Sequence, residues 1–297
     1  MDQQLKEYYD RFIIHLGLMN LGDKTIDIYC SIAKQFFYSI NDSPLNISQE
    51  WLEIFVYKKN ASRSKEQALT VLKHLYRNIF NQPEKVNNIP MPKREEYLPD
   101  ILTTDEVYRI VNHPSFIKQR AALTFIYTGA LRISECVNAK FHHVDAFSHQ
   151  FKIKSGKGRK DRVVFIPQET LNLLENYYSE CMPQNRGQYI FDGQKIGGHY
   201  STRSIQIVFN LAVSELNILK DVSVHTLRHS RCVHWLDNGI DIRKIQLACG
   251  HKRLSTTEHY TQLSIQNYRN VFESADDKIK LEVLAMQAIQ KQISCMK

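Results

Sequence analysis

A mainly α-helical chain with one small antiparallel β-sheet, arranged as two domains, is the fold class this sequence predicts. Three observations lead there. At 297 residues the chain is about twice the ~150 residues of a common domain. Its apolar residues recur mostly at three- and four-residue spacing, as on one face of a helix. The exception is a pair of short alternating stretches around a Gly-rich turn, which is a hairpin pattern.

Residues 1–86 read as a helical domain. Over Thr25–Ile40 the residues Ile26, Tyr29, Ala33, Phe36, Phe37 and Ile40 share one face, and Ser64–Phe80 repeats the pattern from Ala68 to Phe80. The opposite face of that second helix carries Lys65, Lys73, His74 and Arg77. Residues 87–100 hold three prolines, which cannot continue a helix, and read as a linker. Thr103-Thr104-Asp105-Glu106 fits a capping box, the start of a second domain over residues 101–263. A helical run follows through Tyr127 and stops at Gly129. Phe151–Lys154 and Arg162–Ile166 form the hairpin around SGKGRKD. From Ser201 the pattern is helical again, with breaks at Asn238-Gly239 and at Gly250, which looks like a helix C-cap. A capping box from Ser255 to Glu258 places Tyr260 in a short helix. In the tail, 264–297, Ile279, Val283, Met286 and Ile289 have the spacing of an amphipathic helix.

Charge and composition narrow the classes. Lys and Arg number 39 against 31 Asp and Glu, a net +8. Residues 1–97 hold 13 basic against 12 acidic residues, so the excess lies in the second domain, and Lys154–Arg162 alone supplies five basic residues. A local basic patch suits a polyanion partner. Apolar stretches such as Ala121–Tyr127 are far short of the ~20 residues of a membrane span. No signal-peptide pattern opens the chain, and the six cysteines are scattered singly. Free thiols in a reducing cytoplasm are therefore expected.

The chemistry-bearing residues sit at helix and turn boundaries of the second domain. Arg132 follows the break at Gly129, Lys157 lies on the hairpin turn, and His225 and Arg228 open a helix on one face. His251 follows Gly250, and Tyr260 comes nine residues later. Taken singly each has an ordinary reading: a surface ion pair, a solvated lysine, a capping histidine, a packed aromatic. As an ordered set they suit phosphoryl transfer. Arginines hold non-bridging oxygens and offset transition-state charge, a lysine or histidine donates a proton to the leaving oxygen, and a tyrosine forms a covalent ester. No carboxylate cluster for Mg²⁺ stands beside them, so no metal or other cofactor is expected.

The order and wording of these stretches resemble the tyrosine recombinase (phage integrase) family, including its Xer-type members. The matching segments are TGALRISE around Arg132, SGKGRKDRVVFIP around Lys157, HTLRHS from His225, and ACGHKRLSTTEHYTQL with His251 and Tyr260. The resemblance covers about residues 101–263, and residues 1–86 look more loosely like that family's helical core-binding domain. It implies a two-domain clamp on double-stranded DNA carrying a specific core site. Tyr260 would attack the scissile phosphate and leave a 3′-phosphotyrosyl link. Arg132 and Arg228 would clamp the phosphate. Lys157 would be the main general acid with His225 assisting, and His251 would steady the transition state. Because the ester retains the energy of the broken bond, rejoining would need neither ATP nor metal.

The resemblance also implies a homo-tetramer on two duplexes, with or without a second recombinase, exchanging strands through a Holliday junction. The tail helix would dock on a neighbouring protomer or fold back on its own domain. The layout expected is that of a compact, simple-site recombinase without an added arm-binding domain. Two departures are small: Cys249 stands where an aliphatic residue is usual, and Gly129-Ala130-Leu131-Arg132 is one residue longer than the common wording. Lys73 and Arg77 are candidate groove contacts. Three rival readings exist: a type IB topoisomerase, a non-cleaving DNA-binding regulator, and a zinc site from Cys232, His234, Cys249 and His251, whose spacing fits no usual ligand pattern.

Overall fold

The computed structural model describes residues 3–93, 99–154, 161–181, 188–195, 197–251, 254–258, 260–261 and 263–264. The chain divides into two compact units, Met1–Tyr97 and Leu98–Lys297. Among the described residues no helix is long and apolar enough to cross a membrane.

The first unit packs α1 (Gln3–Leu18), α2 (Asp23–Ser39), α3 (Gln49–Tyr57), α4 (Ser62–His74) and the short α5 (Glu84–Asn87) around one apolar core. The α2 face expected from periodicity is the buried one, with Ile32, Ala33, Phe36 and Phe37 inside. Beyond His74 the helix widens into a π turn, Leu75–Ile79. That turn keeps Leu75, Tyr76, Ile79 and Phe80 all in the core, with the buried Tyr76 hydroxyl donating to the Pro44 carbonyl at 2.8 Å. His74 leaves the polar face expected for it and is half-buried, 3.3 Å from His15. Val86 and Ile89 are buried in the same core, so apolar burial carries the packed chain into the proline-rich stretch.

The second unit is helical around a three-stranded antiparallel sheet. Thr103 opens α6 (Thr104–Asn112) with both hydrogen bonds of the capping box present. The helical run then breaks at His113-Pro114, and α7 (Ile117–Thr128) is a separate helix. After the five-residue α8 (Ile133–Val137) and a 3₁₀ turn at Phe141–His143 come β1 (Val144–Asp145), β2 (Gln150–Ile153) and β3 (Arg162–Phe165) in the order β1-β2-β3. The hairpin register pairs Phe151 with Val164 and Ile153 with Arg162; β1 adds a strand that alternation alone does not reveal. Next are α9 (Gln168–Cys181), α10 (Thr202–Glu215), α11 (Val224–Asp237), α12 (Ile242–Cys249) and α13 (Ser255–Glu258). The main core lies between α7, the sheet and α10, and a smaller one joins Ala130, Cys232, Val233, Ile245, Cys249 and Tyr260. Tyr260 sits in the turn after α13 rather than within it.

Candidate active site

The site is organised by one carboxylate. Arg132 is the N-cap of α8, which places Glu135 on the first turn, where an acid complements the unpaired backbone N–H groups. The Arg132 backbone N–H donates to Glu135 Oε2 at 2.8 Å and its Nη1 to Oε1 at 2.7 Å. Arg162, at the inward-facing start of β3, adds Nη1 to Oε1 at 2.8 Å and Nη2 to Oε2 at 2.7 Å. Four donors fill the carboxylate's acceptor positions. Arg228 Nη1 stands 3.7 Å from Oε2. Burial pushes the Glu135 carboxyl up, but Arg162 and then Arg132 outweigh it and hold it at about 2. Three guanidinium groups against one carboxylate leave the cluster net positive, as an anion site requires.

Arg228 is fixed behind this hub. The side chain is 4% exposed. Its Nη1 donates to the Ala130 carbonyl at 2.6 Å and its Nη2 to the Cys249 carbonyl. Both acceptors are products of local backbone geometry. Ala130 takes the left-handed φ of 46°, so the tight turn falls on it and not on Gly129. Gly250 ends α12 at φ 62°, the C-cap conformation that favours glycine. A β-carbon there would lie 2.9 Å from Arg162 Cδ, so the glycine also makes room for the arginine, whose Nε donates to the Ala248 carbonyl at 2.7 Å. Arg132 is more open: its Nε and Nη2 make no hydrogen bond among the described residues.

The helix stop at Gly250 delivers His251 to Arg228, Nε2 to Nη2 at 3.1 Å, while Nδ1 meets Thr257 Oγ1 at 3.0 Å. Its ring centroid is 6.1 Å from that of Tyr260. The Tyr260 hydroxyl is 2.8 Å from Nδ1 of His229, one residue after Arg228 on α11. Burial, and after it Arg228, pushes His229 and His251 each down to about 4, so both imidazoles are neutral at pH 7. Burial pushes the Tyr260 phenol up, so it stays protonated until a base removes the proton. Beneath the ring the buried thiols of Cys232 and Cys249 lie 2.9 Å apart.

Of the residues singled out from sequence, Arg132, Arg228, His251 and Tyr260 converge on this corner. His225 lies in the first turn of α11, exposed; partial burial, then the charges of Arg228 and Arg132, hold its imidazole below the usual range. Lys157 and the tail residues Ile279, Val283, Met286 and Ile289 lie outside the described residues. Lys73 and Arg77 belong to the first unit, where Arg77 is exposed and donates to Asn87 Oδ1 at 2.7 and 3.2 Å. The zinc quartet does not close as a set: Cys232 and Cys249 meet, but His234 is committed elsewhere. His234 spends Nδ1 on the Tyr127 hydroxyl and Nε2 on the Leu102 carbonyl, at 2.8 and 2.9 Å. Sequence reading misses Glu135, Arg162 and His229. Glu135 at the third helical position and Arg162 on the inward side of an alternating strand are the signals that could have found two of them.

Residues 100–267 match the model of the phage integrase family. This is more than half of the chain, which belongs to that family. Among its relatives, the integrase/recombinase y4eF of Sinorhizobium fredii is 35% identical over 211 residues, covering 70% of this chain and 82% of its own. The tyrosine recombinase XerA of Thermococcus kodakarensis is 27% identical over 271 residues, 91% of this chain and 95% of its own. A crystal structure of XerA recombinase matches at TM-score 0.55 and 25% identity over 91% of this chain and 98% of that one. A lambda integrase tetramer bound to a Holliday junction matches at TM-score 0.71 and 16% identity, over 89% and 78% of the two chains. That last likeness is one of fold.

Proposed function

We propose that this tyrosine recombinase breaks and rejoins double-stranded DNA at a specific site through a phosphotyrosyl intermediate on Tyr260. The carrying observation is the convergence of arginines and tyrosine: Arg228 meets His251 at 3.1 Å, and the His251 ring lies 6.1 Å from that of Tyr260.

The reaction balances within the chain. Tyr260 Oη attacks the scissile phosphorus as its proton passes to Nδ1 of His229, the neutral acceptor already in contact. The bond from phosphorus to the 5′-oxygen breaks, and Lys157, assisted by His225, protonates the leaving oxygen. With two of its nitrogens committed to backbone carbonyls, Arg228 is the fixed element. Arg132, with Nε and Nη2 open, is the arm that reaches the non-bridging oxygens, and Glu135 and Arg162 hold that arm in place. Such preorganised charge stabilises the transition state without reorganisation during the step. Reversal, with a 5′-hydroxyl of another strand as nucleophile, reseals the DNA. The relatives' names support recombination over relaxation, and the lambda integrase tetramer on a Holliday junction supports four protomers on two duplexes.

Covalent trapping tests this. Purified protein is mixed with nicked duplexes from the DNA flanking its own gene, with EDTA and without ATP. A protease-sensitive, slow-migrating band that disappears in Tyr260→Phe is the expected result. No band on a duplex that the protein binds specifically would favour a non-cleaving regulator. A band formed without pairwise strand exchange would favour a topoisomerase.

A further inference from the structure

Next to the arginine hub lies a second cationic pocket that the mechanism does not use. It has a volume of about 500 Å³ and opens between α8, the 3₁₀ turn and β2. Lys140, His142, His143, Lys152 and Lys154 line it, and among the described residues its only lining carboxylate is Glu135. The Glu135 oxygens are taken up by Arg132 and Arg162, so the described wall presents positive charge that its one acid does not neutralise. A concave wall of one sign focuses its field on an incoming counter-ion.

Three further observations bear on the ligand. Nε2 of His143 is shut off from solvent and has no hydrogen-bond partner among the described residues. A buried nitrogen without a partner costs about 1–3 kcal/mol, so this ring gains by turning that nitrogen toward a partner in the pocket. The His142 and His143 rings pack edge to face at 4.2 Å between centroids, which sets the two imidazoles side by side at the pocket. Lys152 on β2 and Lys154, the residue just past its end, are both exposed and alternate with the buried Phe151 and Ile153.

We propose that this pocket is a second phosphate subsite, which grips a backbone phosphodiester of the same DNA strand beside the one held at the arginine hub. The shared Glu135 wall puts the pocket beside the hub, as consecutive phosphates of one strand lie beside each other. The pocket makes no base contact; it fixes the register in which the scissile phosphate meets Tyr260. The proposal rests on the recombinase reading given above.

The test measures affinity for a random-sequence duplex of about 30 base pairs between 50 and 200 mM salt, a range over which phosphate contacts dominate. The proteins are the full chain, Lys152→Ala/Lys154→Ala and His143→Ala. Removing one phosphate interaction should reduce the slope of log K against log salt by about 0.9, and both variants should bind more weakly at the lower salt. An unchanged slope and affinity in the lysine variant, whose exposed positions tolerate alanine, overturns the proposal. Thermal stability in inorganic phosphate against chloride at matched ionic strength identifies the source of the anion. An unchanged DNA slope with a phosphate-induced stabilisation that disappears in the variant assigns the pocket to a free anion instead. Covalent trapping separates the two readings: adduct formed by wild type and variant with unchanged slopes removes the subsite alone, while no adduct from wild type on any bound duplex removes the recombinase reading.

Discussion

Nδ1 of His229 lies 2.8 Å from the hydroxyl oxygen of Tyr260, linking α11 to the turn after α13. The contact joins a phenol held protonated by burial to an imidazole held neutral by burial. His229→Gln should therefore slow adduct formation by about 10²- to 10⁴-fold, the range of general acid–base catalysis, with duplex affinity little changed. Single-turnover trapping against pH checks this, and a wild-type rate would remove His229 from the proton path.

Glu135→Ala should be strongly destabilising, because it strands Arg162 and Arg228 without their counter-charge. Removing one partner of a buried ion pair costs about 3–5 kcal/mol. Urea unfolding gives the number. A loss below about 1 kcal/mol would show that the arginines hold their places without the carboxylate.

Acid should weaken the fold in two stages. His229 and His251 sit at about 4 in the folded chain, against ~6.5 when unfolded. Between those values the unfolded chain binds more protons, so stability is full above ~6.5 and falls as pH drops toward 4. Glu135, at about 2, adds a further loss below ~4.3. Thermal melts from pH 8 to 4 should show the decline, and His229→Gln should flatten it. An identical pH slope in that variant would contradict the burial argument.

Arg132→Ala and Arg228→Ala should suppress cleavage far more than binding, and they should differ in stability. Arg132 is partly open, whereas Arg228 bridges the carbonyls of Ala130 and Cys249. Only the second variant should lower the melting temperature substantially. An active alanine variant at either position would remove it from the phosphate clamp.

Lys157→Ala should regain cleavage on a substrate whose 5′-leaving group is a thiol, since a thiolate departs without a proton. Failure of that rescue would remove Lys157 as the general acid.

Local chemistry makes much of this structure legible in the sequence. The capping box at Thr103 and Glu106, the left-handed stop at Gly250 and the buried face of α2 each depend on residues within one or two turns of each other. The break at His113-Pro114 is equally local, yet apolar spacing continues on both sides and hides it. Glu135 and Arg162 are a different matter. They meet across 27 residues, and the pairing exists only once β3 packs beside α8. His229 reads as a helix-cap or core histidine because its partner is 31 residues away. The thiol contact between Cys232 and Cys249 is likewise a product of packing α11 on α12.

Gly250 shows how narrowly some positions of this chain can vary. Its φ of 62° strains any residue that carries a side chain, and the Arg162 Cδ atom 2.9 Å from its absent β-carbon leaves that side chain no room. Two independent constraints thus fall on one codon. Exchanging Arg162 for a smaller residue would clear the space but leave the backbone strained. Straightening the backbone would leave the arginine in the way. A lineage that loses this glycine loses the end of α12 and the seat of Arg162 together, whereas the outer face of the same helix, with Arg243 and Lys244 exposed, stays free to drift.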